Sequence, residues 1–445
     1  MRVVRRILLL NDTPRIIAKR FNTTFILLAL GLLLTGCFRS ERPADLVIVN
    51  GNEPESLDPA IVTGVSEMRT TKALFDGLLH LDATNARPVA ALAERWDISP
   101  DGKTYTFHLR NSLLWSTGEP ITTTDVVYSW LRALSPTTAA DYAGQLFYIK
   151  NAEPFYLGKL TDPNQVGIRA LDEHTLRVEL NTPLAFFLEL CCYPTLAVVP
   201  RQSIDQYGDR WLNHQPLPCS GPFQLESWRP NDKVRLRKNP RYWDAKNTQS
   251  ELIDLLPIGS PNAALNLYET RVADIVWDKD LIPTELLDVL MKRPDFHSYN
   301  YLGLWFYRFN VTRKPLDDPR VRKAFALATD KERLVRKLMR GGERQAMHFV
   351  PDGVANYESP PALPFDPEQA RRLLAEAGFP NGSGFPRLQF SFYSGAGGIG
   401  KVQEKLAVEL QQMWREGLGI EIELRQIERT IFYGAQSRLD FDLSA

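Results

Sequence analysis

One glycine-rich segment of this 445-residue chain has the spacing of a phosphate-binding loop. Gly395–Gly400 reads GAGGIG and lies between a predicted strand and a predicted helix. In a dinucleotide site these glycines let the pyrophosphate approach the helix N-terminus. The acid that should bind the ribose is misplaced, because Glu421 and Glu423 lie inside the next predicted strand and Glu428 follows it. We interpret the segment as a flexible loop and expect no cofactor; an NAD-dependent enzyme stays as the weakest alternative.

No other motif indicates catalysis. The sequence lacks G-x-S-x-G and H-E-x-x-H, and its 6 histidines are scattered along the chain. Cys191, Cys192 and Cys219 show no C-x-x-C or Cys/His spacing, which argues against a zinc site. Three thiols cannot all pair, and adjacent cysteines rarely bridge each other. We therefore predict buried free thiols, no metal and no enzymatic activity.

The composition argues against nucleic acid as a partner. Lys+Arg and Asp+Glu are both 53, so the formal net charge is zero, and no long basic run follows the N-terminal region. With 44% apolar and 24% charged residues, the chain is typical of a globular protein of two to four domains. Its 9 Trp, 15 Tyr and 22 Phe favour a binding cleft in addition to core packing.

The N-terminal region predicts export. Arginines and lysines up to Arg20 precede a ten-residue apolar segment, Phe25–Leu34, which is too short to span a bilayer of about 30 Å. Basic, apolar and small residues in this order form a secretory signal. The segment LTGC, ending at Cys37, looks like a bacterial lipobox. We predict that residues 1–36 are a signal peptide and that Cys37 is lipidated, rather than a buried helix with a chance cysteine.

Local patterns predict hairpins and helices in the first half of the chain. A strand is predicted at Leu46–Asn50, and a hairpin turns at Pro100–Gly102. Thr122 and Asp125 have capping-box spacing at the start of a helix. From about residue 76 to 201, strands and helices are mixed rather than strictly alternating.

The second half predicts an α/β sheet. A hairpin turns at Arg229–Asp232, and helices begin at Asp318 and at Asp366. From residue 388 onward, strand and helix patterns alternate as βαβαβ, with strands at 388–393 and 420–427, helices at 401–416 and 430–438, and a last strand from Phe441. This order is typical of a parallel or mixed sheet.

Several segments, in order, resemble the peptide-binding class of bacterial ABC-transporter extracellular solute-binding proteins, closest to its oligopeptide-binding members. They include EPESLDPAIVTGVSE, ALAERWDISPDGKTYTFHLRNSLLWSTGEPITTTDVVYSWLR, GPFQLESW, NPRYWD and PLDDPRVRKAFALATDKERLV. Together the matching segments cover nearly all of residues 46–445. The resemblance implies a two-lobed α/β periplasmic-binding-protein fold with a hinge and an inserted α+β domain.

The resemblance also implies domain limits and partners. Lobe I is expected at 46–75 and 202–302, the inserted domain at 76–201 and lobe III at 303–445. A short peptide is expected to be enclosed between lobes I and III by hinge closure and passed to ABC permease subunits. The protein is expected to be a monomer in the periplasm, held at the membrane by its lipid. Murein peptides, another small solute, or a role as the sensor domain of a regulator stay as alternatives.

Specific residues follow from the resemblance. Thr63, Gly64 and Val65 match the lobe I strand that pairs with the peptide, although Thr63 stands where oligopeptide binders have an acid. Tyr142 and Tyr301 match tyrosines that contact the peptide, with hinge packing as the alternative for each. Gly303 replaces a cysteine that pairs in oligopeptide binders, and Arg308 replaces an acid, which inverts the local charge.

The strand starting at Phe441 has only begun at Ala445. In the family the chain continues through a Trp and an Asp-Tyr pair, and that Asp binds the peptide's α-ammonium group. We therefore expect the C-terminal part of lobe III to be missing from this sequence, which leaves two explanations open. The sequence is a fragment of a longer reading frame, or the gene is truncated and its receptor is inactive.

Overall fold

The computed structural model describes residues 41–299, 302–339, 341–354, 357–394 and 398–445, and Ala44–Ala445 form one compact unit. Within these residues the strands are β1 (Leu46–Val49), β2 (Leu79–Leu81), β3 (Pro88–Ala90), β4 (Ala93–Ile98), β5 (Thr104–Leu109), β6 (Ile168–Ala170), β7 (Thr175–Glu179), β8 (Phe223–Arg229), β9 (Lys233–Lys238), β10 (Leu252–Leu256), β11 (Ile275–Val276), β12 (Arg308–Phe309), β13 (Leu388–Ser394), β14 (Ile422–Glu428) and β15 (Leu443–Ser444).

The α-helices of the same residues are α1 (Val65–Leu74), α2 (Thr123–Ala133), α3 (Ala152–Tyr156), α4 (Phe187–Leu190), α5 (Arg201–Tyr207), α6 (Pro261–Glu269), α7 (Leu287–Leu290), α8 (Pro319–Leu327), α9 (Lys331–Leu334), α10 (Pro367–Glu376), α11 (Gly398–Leu418) and α12 (Arg429–Ser437). None of the helices in the described part of the chain combines the length and apolarity needed to span a membrane.

The first sheet joins two distant stretches of the chain. It has five strands in the order β11-β1-β10-β9-β8, and β1 runs parallel to both β10 and β11. The hairpin predicted at Arg229–Asp232 is confirmed, with Asn231 at φ 59°, a left-handed conformation that asparagine tolerates well. Trp211 and Phe75 pack in the core beneath the sheet, with ring centroids 5.5 Å apart.

The second sheet is antiparallel throughout, with the strand order β4-β5-β7-β6. The predicted turn at Pro100–Gly102 is confirmed, and Gly102 adopts a φ of 67° that favours glycine. Helix α2 begins as predicted, because the Asp125 carboxylate accepts a hydrogen bond from the Thr122 N–H over 2.8 Å. Trp130 of this helix is fully buried and donates from Nε1 to the Leu196 carbonyl at 2.9 Å.

The third sheet has the strand order β12-β15-β13-β14 and is mixed. Strand β13 is parallel to β14 and to β15, whereas β12 is antiparallel to β15, so the predicted α/β sheet is confirmed. Both predicted helix starts are also confirmed, since Asp318 and Asp366 each cap a helix through the carboxylate. Helix α11 begins at Gly398, earlier than the predicted residue 401, because the last glycines of the GAGGIG segment join its first turn.

Each predicted domain contains its own sheet or sheets, and the exact domain limits stay predictions. Ala197 and Val199, placed by the sequence in the inserted domain, pack in the core of the first sheet. The three cysteines of the described chain are buried free thiols, as predicted. Burial raises the pKa of the Cys192 and Cys219 thiols to about 12, so neither is a reactive thiolate at neutral pH.

Candidate ligand-binding site

The carboxyl ends of three parallel strands meet at one edge of the first sheet. Strand β1 leads into Asn50, and β11 leads into Trp277, whose N–H donates to the Val49 carbonyl at 3.4 Å. In open α/β sheets, ligands bind in the crevice outside such carboxyl ends. Trp277 is 56% exposed, which is unusual for so large an apolar side chain. This edge is therefore the first candidate wall of a binding crevice.

Arg69 of helix α1 holds this edge together. Its guanidinium donates from Nε to Oδ1 of Asn50 and from Nη2 to the Asn50 carbonyl, both over 2.8 Å. Nη1 lies 3.6 Å from the Asp278 carboxylate, and the guanidinium carbon is 5.9 Å from the Trp277 ring centroid. Burial lowers the pKa of Arg69, and Asp278 opposes that shift. Nothing in the local sequence pattern indicated this cluster.

The predicted pairing strand, Thr63–Val65, is only partly extended. Gly64 is extended, with φ −81° and ψ 145°, but Val65 is the first residue of helix α1 and does not continue a strand. The Gly64 N–H donates to Oε2 of Glu67 at 2.9 Å, and the Gly64 carbonyl accepts from the Met68 N–H. The strand expected at Val65 is therefore wrong, because this helix start takes up the Gly64 backbone groups.

Thr63 keeps the features that pairing requires. It is exposed, and among the described residues its backbone N–H and C=O have no hydrogen-bond partner. Val65 beside it is 63% exposed. An extended ligand can form main-chain hydrogen bonds to such an unpaired edge.

Glu67 positions this edge, and the sequence analysis missed it. Its Oε1 accepts from the Glu55 N–H and its Oε2 from the Gly64 N–H, both over 2.9 Å. One side chain thus fixes both ends of the loop that carries Thr63. The spacing Gly64-x-x-Glu67, a small residue followed three positions later by Glu, was the signal that could have identified it.

Tyr142, the predicted contact from the inserted domain, is half-buried before a short 3-10 helix. Its ring packs edge-on against Tyr193 with centroids 5.3 Å apart. Within the described part of the chain its hydroxyl has no hydrogen-bond partner, so the polar end remains able to bind a ligand. The ring packing agrees with a structural role, and a ligand contact by this tyrosine stays a prediction.

The third sheet offers a second wall. The segment 302–307 enters β12, and its Trp305 and Phe306 are exposed. Phe306 packs edge-on against the exposed Phe349, with centroids 5.2 Å apart. Arg308 follows on β12, and its guanidinium carbon lies 4.8 Å from the Phe306 ring centroid. Aromatic rings that are exposed on one side are typical of ligand clefts.

Two ion pairs connect the part of the chain that carries the first wall to the part that carries the second wall. Lys279 Nζ lies 3.7 Å from Oε1 of Glu343, and Lys405 Nζ lies 3.7 Å from Oε1 of Glu285. Asp280, the residue after Lys279, is partly buried, and burial together with Asp278 raises its pKa to about 6. The two parts thus meet through charged groups, which can separate at low cost.

Other predicted positions lie outside the described residues. These are Tyr301, the lipidation residue Cys37 and the centre of the glycine loop, residues 395–397. Among the described residues, no group of His, Cys, Asp and Glu side chains could hold a metal ion.

Comparison with known proteins identifies the family. Residues 87–445 match the model of the bacterial extracellular solute-binding proteins, family 5 Middle. The chain is 33% identical over 410 residues to the periplasmic oligopeptide-binding protein of Salmonella typhimurium, covering 90% of this chain and 73% of that protein. It is 30% identical over 403 residues to the oligopeptide-binding protein of Bacillus subtilis, covering 88% and 72%. The chain belongs to the family 5 bacterial extracellular solute-binding proteins.

Solved structures agree with this assignment. A periplasmic oligopeptide-binding protein from Borrelia burgdorferi superposes with a TM-score of 0.79 and 32% identity, covering 90% of this chain and 79% of that one. The Escherichia coli murein tripeptide binding protein superposes with a TM-score of 0.80 and 30% identity, covering 91% and 79%. The predicted two-lobed α/β fold is therefore confirmed. The chain belongs to a family of binding proteins rather than of enzymes.

Proposed function

We propose that this protein captures short peptides in the crevice between its lobes and delivers them to an ABC importer. The observation that carries the proposal is the exposed, unpaired Thr63 backbone at the carboxyl edge of the first sheet, held in place by Glu67. The names of the relatives support peptides as the ligand class.

The chemistry of such a site suits ligands of varied sequence. Main-chain hydrogen bonds to Thr63 do not depend on the peptide's side chains, so they supply affinity for any sequence. The exposed rings of Trp277 and Phe306 give apolar surface to ligand side chains, and water fills the remaining space. Tyr142 and Tyr301 are the proposed sources of hydroxyl groups for the ligand, and Gly64 and Val65 shape the loop beside Thr63.

The cellular setting follows from the same proposal. The protein acts outside the cytoplasm, in the periplasm or at the cell envelope, as a monomer held by lipid on Cys37. Incorporation of radiolabelled palmitate into the wild type, and its loss in Cys37→Ser, tests the anchor. A wild-type protein that remains unlabelled contradicts the anchor without affecting the ligand class.

Calorimetry tests peptide capture. The full chain, purified from the host envelope in mild detergent, is titrated with tetraalanine and with variants carrying one N-methyl group at each successive amide. Methylation removes a donor from the ligand and leaves the protein unchanged. We expect tetraalanine to bind and at least one N-methyl variant to bind about tenfold more weakly. Absence of binding to trialanine and tetraalanine, or equal binding of all N-methyl variants, contradicts the proposal.

A murein peptide is a second candidate, favoured by the TM-score of 0.80 to the murein tripeptide binding protein. Competition between tetraalanine and a murein tripeptide separates the two. A tripeptide that displaces tetraalanine at much lower concentration favours the murein ligand.

A further inference from the structure

The loop that carries Thr63 is shaped by the buried Asp58. The Asp58 carbonyl accepts from the Ile61 N–H at 3.1 Å and from the Val62 N–H at 3.2 Å. Its carboxylate Oδ1 also accepts from the Ala60 N–H at 3.0 Å. These three hydrogen bonds form a turn that ends at Val62, the residue directly before Thr63. The course of the backbone into Thr63 is therefore set by Asp58.

The Asp58 carboxylate is held from outside the loop by Arg132 of helix α2. The Arg132 Nη1 donates to Oδ1 at 3.0 Å and Nη2 donates to Oδ2 at 2.5 Å, so one guanidinium fork engages both oxygens. The Trp211 Nε1 adds a longer hydrogen bond to Oδ2 at 3.4 Å. Asp58 is 4% exposed, and the attraction between opposite charges is less screened at a buried site than at the surface. Arg132 thus fixes the orientation of the carboxylate on which the turn is built.

Helix α2 is a rigid support for this contact. Its Trp130 is fully buried, and the ring donates from Nε1 to the Leu196 carbonyl at 2.9 Å. Its Ser129 accepts at Oγ from the Val199 N–H, also at 2.9 Å. A side chain on a packed helix is placed more precisely than one on a loop. Arg132 therefore reaches Asp58 from a part of the chain that is itself held in place.

We propose that Arg132 is a positioning residue for ligand binding, because by fixing Asp58 it holds the Thr63 backbone ready to pair with the peptide. This inference rests on the proposed function and gives residues 76–201, the predicted inserted domain, a part in building the peptide site. Glu67 joins the ends of this loop, and the Asp58 turn lies between those ends. An edge that is ordered before the ligand arrives loses less conformational entropy on binding, so it binds more tightly.

Hydrogen–deuterium exchange on the wild type tests whether the turn is formed before the ligand binds. Exchange at the Ala60 and Thr63 amides of the full chain is followed with and without saturating tetraalanine. We expect tetraalanine to slow exchange at Ala60 by less than about twofold and at Thr63 by about tenfold. If Ala60 slows as much as Thr63, the ligand orders the turn and the inference is wrong. This comparison needs no variant.

Two variants of Arg132 test its role directly. Arg132→Gln removes the guanidinium fork, so we expect calorimetry to show about tenfold weaker binding of tetraalanine. In the ligand-free variant, exchange at the Ala60 amide should be about tenfold faster than in the wild type. Arg132→Lys keeps the charge but lacks the fork, so it should bind about threefold more weakly. If the glutamine variant does not fold, the lysine variant decides, and wild-type affinity in it would contradict the inference.

Two control variants separate positioning from a loss of stability. Arg110→Gln makes the same substitution at a half-buried arginine within residues 76–201, whose Nε donates to the Ala91 carbonyl at 2.7 Å. Asp254→Asn breaks another buried arginine–aspartate pair, in the first sheet. Both should lower the melting temperature and leave the affinity for tetraalanine within about twofold of the wild type. If Arg132→Gln weakens binding no more than these controls, its role is structural and the inference is wrong.

The outcomes separate this inference from the proposed function. If the wild type binds tetraalanine and Arg132→Gln binds it equally well, peptide capture stands and the role of Arg132 is wrong. The same conclusion holds if affinity falls in Arg132→Gln while exchange at Ala60 is unchanged. If the wild type binds neither trialanine nor tetraalanine, the proposed function fails, and this inference fails with it.

Discussion

The Gly64 N–H donates to Oε2 of Glu67 over 2.9 Å, and this hydrogen bond marks the point where extended backbone becomes helix α1. Because the Gly64 N–H is occupied, we propose the neighbouring Thr63 as the donor and acceptor for a ligand strand. A Cβ on Gly64 would lie 3.0 Å from the same Oε2, so an alanine there would require the Glu67 carboxylate to shift slightly. The proposed pairing edge therefore depends on one glutamate.

Replacing Glu67 should weaken both the loop and ligand binding. Glu67→Ala removes the acceptor for two backbone N–H groups, so we expect the free energy of unfolding to fall by about 1 kcal/mol. Peptide affinity should fall further, because Thr63 loses its fixed position. Glu368→Ala is the control, since this exposed glutamate also lies in the first turn of a helix. Urea unfolding and calorimetry measure the two effects; equal effects of the two variants would contradict this role.

Replacing Trp277 should separate binding from stability. Because the ring is 56% exposed, Trp277→Ala should change the free energy of unfolding by less than about 1 kcal/mol. If the ring borders the ligand, peptide affinity should fall about tenfold. Phe186→Ala, at a 45% exposed ring within residues 76–201, the predicted inserted domain, should leave affinity unchanged. Unchanged affinity in Trp277→Ala would remove this ring from the site.

The buried pair of Arg235 and Asp254 should contribute strongly to the stability of the first sheet. Arg235 Nε donates to Oδ1 and Nη2 to Oδ2 of Asp254, both over 2.7 Å, and both residues are buried. Breaking such a pair leaves an uncompensated charge, so Asp254→Asn should lower the free energy of unfolding by about 3 kcal/mol. Asp97→Asn, at an exposed ion pair 3.3 Å from Arg95, should change it by less than about 0.5 kcal/mol.

The contribution of the Arg235–Asp254 pair to stability should depend on pH. Burial alone would raise the pKa of Asp254, but hydrogen bonds from Arg235 and Lys233 outweigh it and lower the pKa. Its contribution is therefore complete above the ordinary Asp pKa of about 4 and is lost as the pH falls through the lower folded value. The difference in stability between wild type and Asp254→Asn should shrink in acid. A constant difference from pH 7 to pH 3, about the range of carboxylate titration, would contradict this.

The stabilising contribution of His80 should depend on pH in the opposite direction. It is hydrogen bonded to the buried Asp76; burial alone would lower its pKa, but the interactions with Asp76 outweigh this and raise it. The stabilising contribution is complete below the ordinary His pKa of about 6.5 and is lost as the pH rises through the folded value. Melting temperatures of wild type and His80→Gln should therefore differ more at about pH 5.5 than at about pH 8.5. A difference between wild type and His80→Gln that is the same at both pH values would contradict this role.

Local sequence patterns predicted the features whose determinants are close in sequence. Helix caps at Asp318 and Asp366 and the turn at Asn231 depend on residues within a few positions, and all three are present. The cluster of Arg69, Asn50 and Asp278 could not be predicted in this way. It joins strand, helix and loop segments that come together only when β1 and β11 pair.

The end of the pairing edge shows the limit of the resemblance. Matching residues placed Thr63–Val65 on a strand, but the helix-start signal of Glu67 leaves Gly64 extended and makes Val65 the first residue of helix α1. The capping glutamate three residues after Gly64 is a local signal that outweighs the strand expected at Val65.

Hydrogen–deuterium exchange at the Thr63 amide tests most directly whether the peptide pairs with this backbone. Exchange is measured at single-amide resolution with and without saturating tetraalanine. The Thr84 amide, which donates to Oδ1 of Asp82 at 2.9 Å in an exposed turn, serves as the internal control. We predict that the peptide slows exchange at Thr63 about tenfold or more and leaves Thr84 unchanged. Calorimetric binding of tetraalanine with unchanged exchange at Thr63 would contradict the account.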